Sequence, residues 1–239
     1  MKSIHRCIIA MVVCCVCGTV AAWGSSVELI LNGGFESGFT SWTELDQANG
    51  SGSWFDATGT TSPLSGFPTV GPSSGSFYAV TDQFGPGAHV LIQDFTIPTG
   101  ATSVTLTFDM FSDNQASNTF CPGALDYTLV PNQCARVDIL SAGATAFDTG
   151  AGVLMNLYET ATLGGPNPYV AYSFDLTGLG AGTYQLRFGE VDNQLYFQQG
   201  VDDVSIVANT SAAPEPASLL LLGTGVLGLI GGARGKWVH

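Results

Sequence analysis

From Ser103 to Phe111 the chain reads SVTLTFDMF, and its alternation puts Val104, Leu106, Phe108 and Met110 on one face. A period of two marks a half-buried β-strand, because successive side chains leave a strand on opposite sides. TYQLRFGEV repeats the pattern with Tyr184, Leu186 and Phe188. Five more segments bounded by Gly, Pro, Asn and Ser carry strand signal: SFYAVTD from Ser76, HVLIQDFTI from His89, CARVDIL from Cys134, YVAYSFDL from Tyr169 and VDDVSIV from Val201. No stretch between the termini has convincing helical periodicity, so the pattern predicts an all-β chain of seven or eight antiparallel strands, a β-sandwich. Residues 46–75 and 114–133 are poor in strand signal and read as long loops.

The chain has 239 residues, 31 of them glycine, with 45% hydrophobic and 10% charged residues, a composition that predicts one loop-rich globular domain rather than disorder. The net charge is −13, and four of the six basic residues (Lys2, Arg6, Arg234, Lys236) lie in the end segments. Only Arg136 and Arg187 are basic in the body, so phosphate-neutralising contacts to nucleic acid are excluded there, and divalent cations are favoured instead.

The first 22 residues combine a basic start (Lys2, Arg6), an apolar run from Cys7 to Cys17 and small residues at Ala21 and Ala22. That is the pattern of a signal peptide, and cleavage by signal peptidase is expected after Ala22. Four cysteines fall in this segment, leaving Cys121 and Cys134 in the body. In an exported protein this pair predicts one disulfide. A two-cysteine metal site lacks partners, because His89 is the body's single histidine. Near the other end, residues 217–233 are uncharged and ~25 Å long as a helix, a marginal transmembrane span held by Arg234 and Lys236 on the cytoplasmic side.

Pro214-Glu215-Pro216, the apolar run and the basic residues after it together resemble a PEP-CTERM sorting signal. The resemblance implies a Gram-negative bacterium, export through its inner membrane, a transient membrane anchor, and processing by an exosortase-type membrane protease or transpeptidase. The protein would end at the cell surface or in the extracellular matrix. The basic tail is thinner than the usual arginine cluster. The expected organisation is therefore a signal peptide (1–22), a β-sandwich domain (23–208), a spacer (209–213) and the sorting signal (214–239).

LILNGGFESGFTSW near the start and VDDVSI near the end of the body resemble the first and last strands of galactose-binding-like jelly rolls, including carbohydrate-binding modules. By that resemblance the body is a jelly roll, and Gly34, Glu36 and Asp202 or Asp203 hold a structural Ca2+ ion. Oxygen ligands are the chemistry that calcium requires. Alternation with Val204 and Ile206 favours Asp202 as the inward-facing carboxylate. The alternative is that Glu36 hydrogen-bonds turn amides while the aspartates face solvent. CARVDIL and LRFGEVDNQLYFQQGVDDVSI also resemble the recurring body of PEP-CTERM proteins, a likeness that brings no assigned chemistry.

Binding of exopolysaccharide or another glycan needs exposed rings that pack on sugar C–H faces beside polar side chains that read hydroxyls. The candidates are Trp42, Trp54, Tyr158, Tyr196 and Phe197, with Trp54 first because Asn49, Ser51, Ser53 and Asp56 surround it in sequence. Catalysis has weaker grounds. Gly71-Pro72-Ser73-Ser74-Gly75 spells G-x-S-x-G, but Pro72 precedes the serine and a strand follows, whereas a nucleophile elbow needs a strand before and a helix after. Asp109, Asp113, Glu190 and Asp192 lie at strand ends, yet nothing in the sequence separates a buried acid from a solvated one. The expected protein is non-catalytic and glycan-associated; a purely structural matrix protein is the alternative, and a glycoside-active enzyme the third reading.

Overall fold

A computed structural model describes residues 24–211. The signal segment, the Pro214-Glu215-Pro216 motif and the apolar run 217–233 lie outside the described residues. Within them are twelve strands: β1 (Ser25–Glu28), β2 (Glu36–Phe39), β3 (Thr43–Asp46), β4 (Ser53–Ala57), β5 (Tyr78–Asp82), β6 (Gly87–Ile97), β7 (Ala101–Asn114), β8 (Cys134–Ser141), β9 (Val153–Thr160), β10 (Val170–Asp175), β11 (Gly182–Asp192) and β12 (Phe197–Thr210). A single 3-10 turn, Thr177–Leu179, separates β10 from β11, and no described helix is long and apolar enough to cross a membrane.

Eleven of the twelve strands, all but β2, form two antiparallel sheets. One has the order β10-β7-β12-β5-β4, with β1 also paired to β12; the other runs β3-β6-β11-β8-β9. A sandwich follows from the alternation. Val104, Leu106, Phe108 and Met110 of β7 meet Leu186 and Phe188 of β11, Leu91 and Phe95 of β6, and Val137 and Ile139 of β8 in one buried cluster. Each large apolar side chain fully buried there is worth about 1.5–3 kcal/mol of transfer free energy.

The described residues hold twelve strands where seven or eight were expected; among stretches read as loops or left unassigned, Thr43–Asp46 pairs with β6. Ser53–Ala57 pairs with β5, and Val153–Thr160 pairs with β8 as a sheet edge. The expected long loop at 114–133 is present and lies over the outer face of the five-stranded sheet. Its Leu125 joins Ala88, Val90, Ile92, Cys134 and Val191 in a second apolar cluster. The disulfide Cys121–Cys134 closes this segment, beside the Phe120–Gln133 bridge at its base. Both body arginines are buried on the same outer face. Arg187 donates to Asp138 (2.6 Å) and to the carbonyls of Ala146 and Asp148 (2.7 Å each), while Arg136 pairs with Asp138 and Glu159.

Candidate functional site

At one end of the sandwich, the turn from β5 to β6 and the turn from β11 to β12 stand beside the segment Ser65–Phe67. Together they enclose a cleft of about 280 Å³ whose lining includes Phe67, Gln83, Phe84, Asp192, Asn193 and Tyr196. Phe84 is 74% exposed, and Phe67 and Leu195 are exposed as well. Phe67 stacks on Tyr196 with ring centroids 4.0 Å apart.

Asp82, buried at the end of β5, fixes this wall. It accepts the amides of Leu64 (2.6 Å) and Ser65 (2.7 Å) and the Ser65 hydroxyl (2.6 Å). The Tyr196 hydroxyl lies 3.2 Å from Ser65 Oγ and 3.3 Å from Ser62 Oγ, and burial pushes its phenol up. On the opposite side Asp192 accepts the Gly87 amide at 3.1 Å. Desolvation pushes the Asp192 carboxyl up to about 7, against the lowering effect of the Gly87 amide and Gln83. The arrangement offers a flat ring pair, a second exposed ring and several amide and carboxylate groups in one concavity, which suits a ligand with both apolar faces and hydroxyls.

A larger groove of about 410 Å³ lies on the five-stranded sheet. Its walls are aliphatic and polar (Leu31, Leu45, Gln93, Asp94, Gln185), without an aromatic ring.

The sequence-derived ring candidates separate sharply by burial. Trp54 is 1% exposed in β4 and packs in the core, so its polar sequence neighbours flank a strand whose indole turns inward. Trp42 is buried against Phe35 and Phe188, with its indole N–H donating to the Asn32 carbonyl (3.1 Å). Phe197 is buried with Ala135 and Ala161. These three rings cannot serve as exposed platforms. Tyr158 is half-buried and meets Tyr172 edge-on at 5.5 Å, lining a hollow of about 150 Å³ beside β10. Tyr196 alone of the five lines the end cleft. Its companions Phe67 and Phe84 occur as Gly66-Phe67-Pro68 and Phe84-Gly85-Pro86. Both rings lie beside turn residues and outside any alternating run, which is the signal that could have marked them.

The residues expected to hold calcium are on the far side of β12, at a bulge. Asp203 there has φ 52, and the register shifts between Asp202 and Ser205. Val204 N–H donates to the Gly33 carbonyl (3.0 Å), and a Cβ on Gly34 would stand 3.9 Å from Oδ1 of both Asp202 and Asp203. Gly34 and the two aspartates are thus brought together. Glu36 accepts the amides of Ser76 (2.6 Å) and Phe77 (3.0 Å), which hold its carboxyl below the usual range. Asp202 is buried, as alternation predicts, but for another reason. The bulge breaks its phase with Val204, and Asp202 lies under the 71–75 segment, accepting the amides of Ser73 (2.8 Å) and Ser74 (3.0 Å). Desolvation pushes Asp202 up to about 6. The two serines of the G-x-S-x-G string therefore serve as amide donors in this turn.

Residues 212–235 match the PEP-CTERM protein-sorting motif. The PEP-CTERM signal begins one residue after the described domain, which it marks for export and C-terminal sorting by an exosortase-type system. No curated protein matches the chain. Among solved structures the described domain is similar to the carbohydrate-binding module TmCBM61, described in complex with β-1,4-galactotriose. That pair shares 10% identity, 75% of this chain, 97% of the other and a TM-score of 0.47. It is also similar to the K1 cleaved adhesin domain of Lys-gingipain from Porphyromonas gingivalis (17% identity, 77% and 98% covered, TM-score 0.47). The Stig cyclase Fisc from Fischerella sp. has a similar fold too (16% identity, 78% and 100% covered, TM-score 0.46). Function has to come from the site.

Proposed function

We propose that this is a non-catalytic, exported surface or matrix protein that binds a neutral glycan in the end cleft. The observation that carries the reading is the stacked Phe67–Tyr196 pair lining one cleft together with the exposed Phe84 and the polar Asp192 and Asn193. A neutral ligand fits the charge: 18 carboxylates against two arginines lie between Trp23 and Ser211, and both arginines are buried. Acidic polysaccharide would meet repulsion without cation relief. Against catalysis, Asp192 lines the cleft and Glu190 does not, so these two acids do not flank a ligand there.

The test is a glycan array probed with the full chain in mild detergent, alongside Tyr196→Ala and Phe84→Ala. Saturable binding to neutral glycans, lost in both variants, supports the reading. Absence of binding to every glycan would leave a purely structural matrix protein. Calcium at Gly34, Glu36 and the two aspartates is part of the same proposal, supported by the all-oxygen donor set and by the adjacent negative charges of Asp202 and Asp203. Sorting is proposed to proceed by cleavage near Pro214-Glu215-Pro216; alanine at all three positions should leave the unprocessed chain in the membrane fraction.

A further inference from the structure

Asp46, His89 and Glu190 form one row across three strands. Asp46 of β3 is the register partner of His89 on β6, which is the partner of Glu190 on β11. Gly87 and Asp192 form the next pair on that face. Residues directly opposite in antiparallel strands point to the same side, here the inner side, in phase with Leu91 and Phe188 of the core. A polar row in this position is costly unless every buried atom has a partner.

The partners are incomplete. His89 Nδ1 lies 2.7 Å from Asp46 Oδ1, so this nitrogen donates its proton to the carboxylate. Nε2 is left pointing inward, 3.9 Å from Glu190 Oε2. His89 Nε2 and both Glu190 carboxylate oxygens have no hydrogen-bond partner, and both residues are fully buried. Donor atoms of His89, Glu190 and Asp192 all fall within 4.8 Å of one another. Gly87 keeps the space open, since a Cβ there would come within 2.5 Å of His89 Nε2. Asp192 also lines the cleft, which provides an entry path.

We propose that His89, Glu190 and Asp192 bind a divalent cation of the zinc class, with Asp46 as the residue that orients the imidazole. The donor set selects the ion. One imidazole nitrogen and two carboxylates suit Zn2+, whereas calcium takes six to eight oxygens and thiolate-seeking ions find no sulfur. Donors about 2.0–2.2 Å from a tetrahedral ion stand roughly 3.4 Å apart, so the 3.9 Å His89–Glu190 gap needs to close by about 0.5 Å and separations of up to 4.8 Å by roughly 1.4 Å as the side chains close on the ion. A carboxylate hydrogen-bonded to the far nitrogen of a ligating histidine fixes its tautomer, and Asp46 holds that position. The ion would join the first residues of β6 to the last of β11, where both turns of the cleft begin. This site is separate from the proposed calcium site and does not require that a glycan bind.

The test is calorimetric titration of the chelator-treated full chain with ZnCl2, and visible absorption after adding CoCl2. Wild type should bind one equivalent at this site and develop Co2+ d–d bands; Glu190→Gln and His89→Gln should lose both. Asp46 is 40% exposed, so Asp46→Asn keeps the fold in reserve if the buried variants fail, and should weaken Zn2+ about 10–100-fold. Absence of Zn2+ binding to wild type, equal binding by a folded Glu190→Gln, or unchanged affinity in Asp46→Asn would overturn the proposal. A Ca2+ titration separates the two sites, since Glu190→Gln should leave it unaltered.

Discussion

Arg187 Nη2 donates to Asp138 Oδ2 at 2.6 Å, and both side chains are completely buried. Asp138 also receives Arg136 Nη2 at 3.0 Å and the Asn156 amide at 2.8 Å, so one carboxylate is shared by two guanidinium groups, with Glu159 as the second anion of Arg136. Removing it leaves two buried cations without their shared anion. Asp138→Ala is expected to cost about 3–5 kcal/mol in urea unfolding. Arg187→Met should cost less, because Asp138 keeps Arg136. The reverse ranking would show that the carbonyls of Ala146 and Asp148, held by Arg187, matter more than the charge pair.

The disulfide fastens the 114–133 segment over the second apolar cluster, with its cysteines 13 positions apart. A loop of this size is worth about 3 kcal/mol in chain entropy, less whatever order the reduced chain retains. Reducing agent, or Cys121→Ser with Cys134→Ser, should lower the midpoint of unfolding accordingly. Two free thiols by mass in unreduced protein would contradict the pairing.

Asp113 sets a pH dependence. It is buried opposite Gln198, its Oδ1 accepts the Asn167 amide at 2.8 Å, and its Oδ2 has no partner. Desolvation pushes it from 3.8 to about 6. The folded protein therefore holds this proton over a range where the unfolded chain has released it. Its contribution favours folding below about pH 4 and is lost as pH rises towards and through about 6. Asp113→Asn should stabilise the protein by about 1–3 kcal/mol at pH 7.5 and by little at pH 4. Equal effects at both values would reject burial of charge as the cause.

Trp54 and Tyr196 should behave as opposites. Trp54→Ala empties a core position and is expected to cost about 3–5 kcal/mol, whereas Trp54→Phe should cost far less because the indole N–H has no partner to lose. Tyr196→Ala should change ligand binding more than stability. Thermal melts alongside the array distinguish a defective fold from a defective cleft.

Calcium should raise the melting temperature of the full chain, because a ligand that binds only the folded state stabilises it. The increment should vanish in Asp203→Asn, whose exposed carboxylate is the one of the three least occupied by backbone amides. A melt indifferent to both Ca2+ and chelator would remove that ion from the description.

The sandwich was legible because its long strands alternate cleanly: Val104, Leu106, Phe108 and Met110 are all buried, as are Leu186 and Phe188. Ser53–Ala57 escaped because Ser, Asp and Ala have low strand propensity, and pairing with β5 supplies what the local sequence lacks. Val153–Thr160 is an edge strand with both faces partly wet, which blurs its period. Asp46, His89 and Glu190 lie far apart along the chain, and only the pairing register aligns them. The stacking of Phe67 on Tyr196 was hidden for the same reason.

β1 and β12 pair from Ser25 with Thr210, so the domain's first and last residues sit side by side, while the cleft lies at the other end of β12. Fourteen strand residues separate those ends, about 40 Å with the bulge allowed for. A pull between a ligand held in the cleft and an anchor beyond Thr210 would run parallel to β12. Its hydrogen bonds to β7 and β1 would then be strained together in shear instead of being peeled apart one by one.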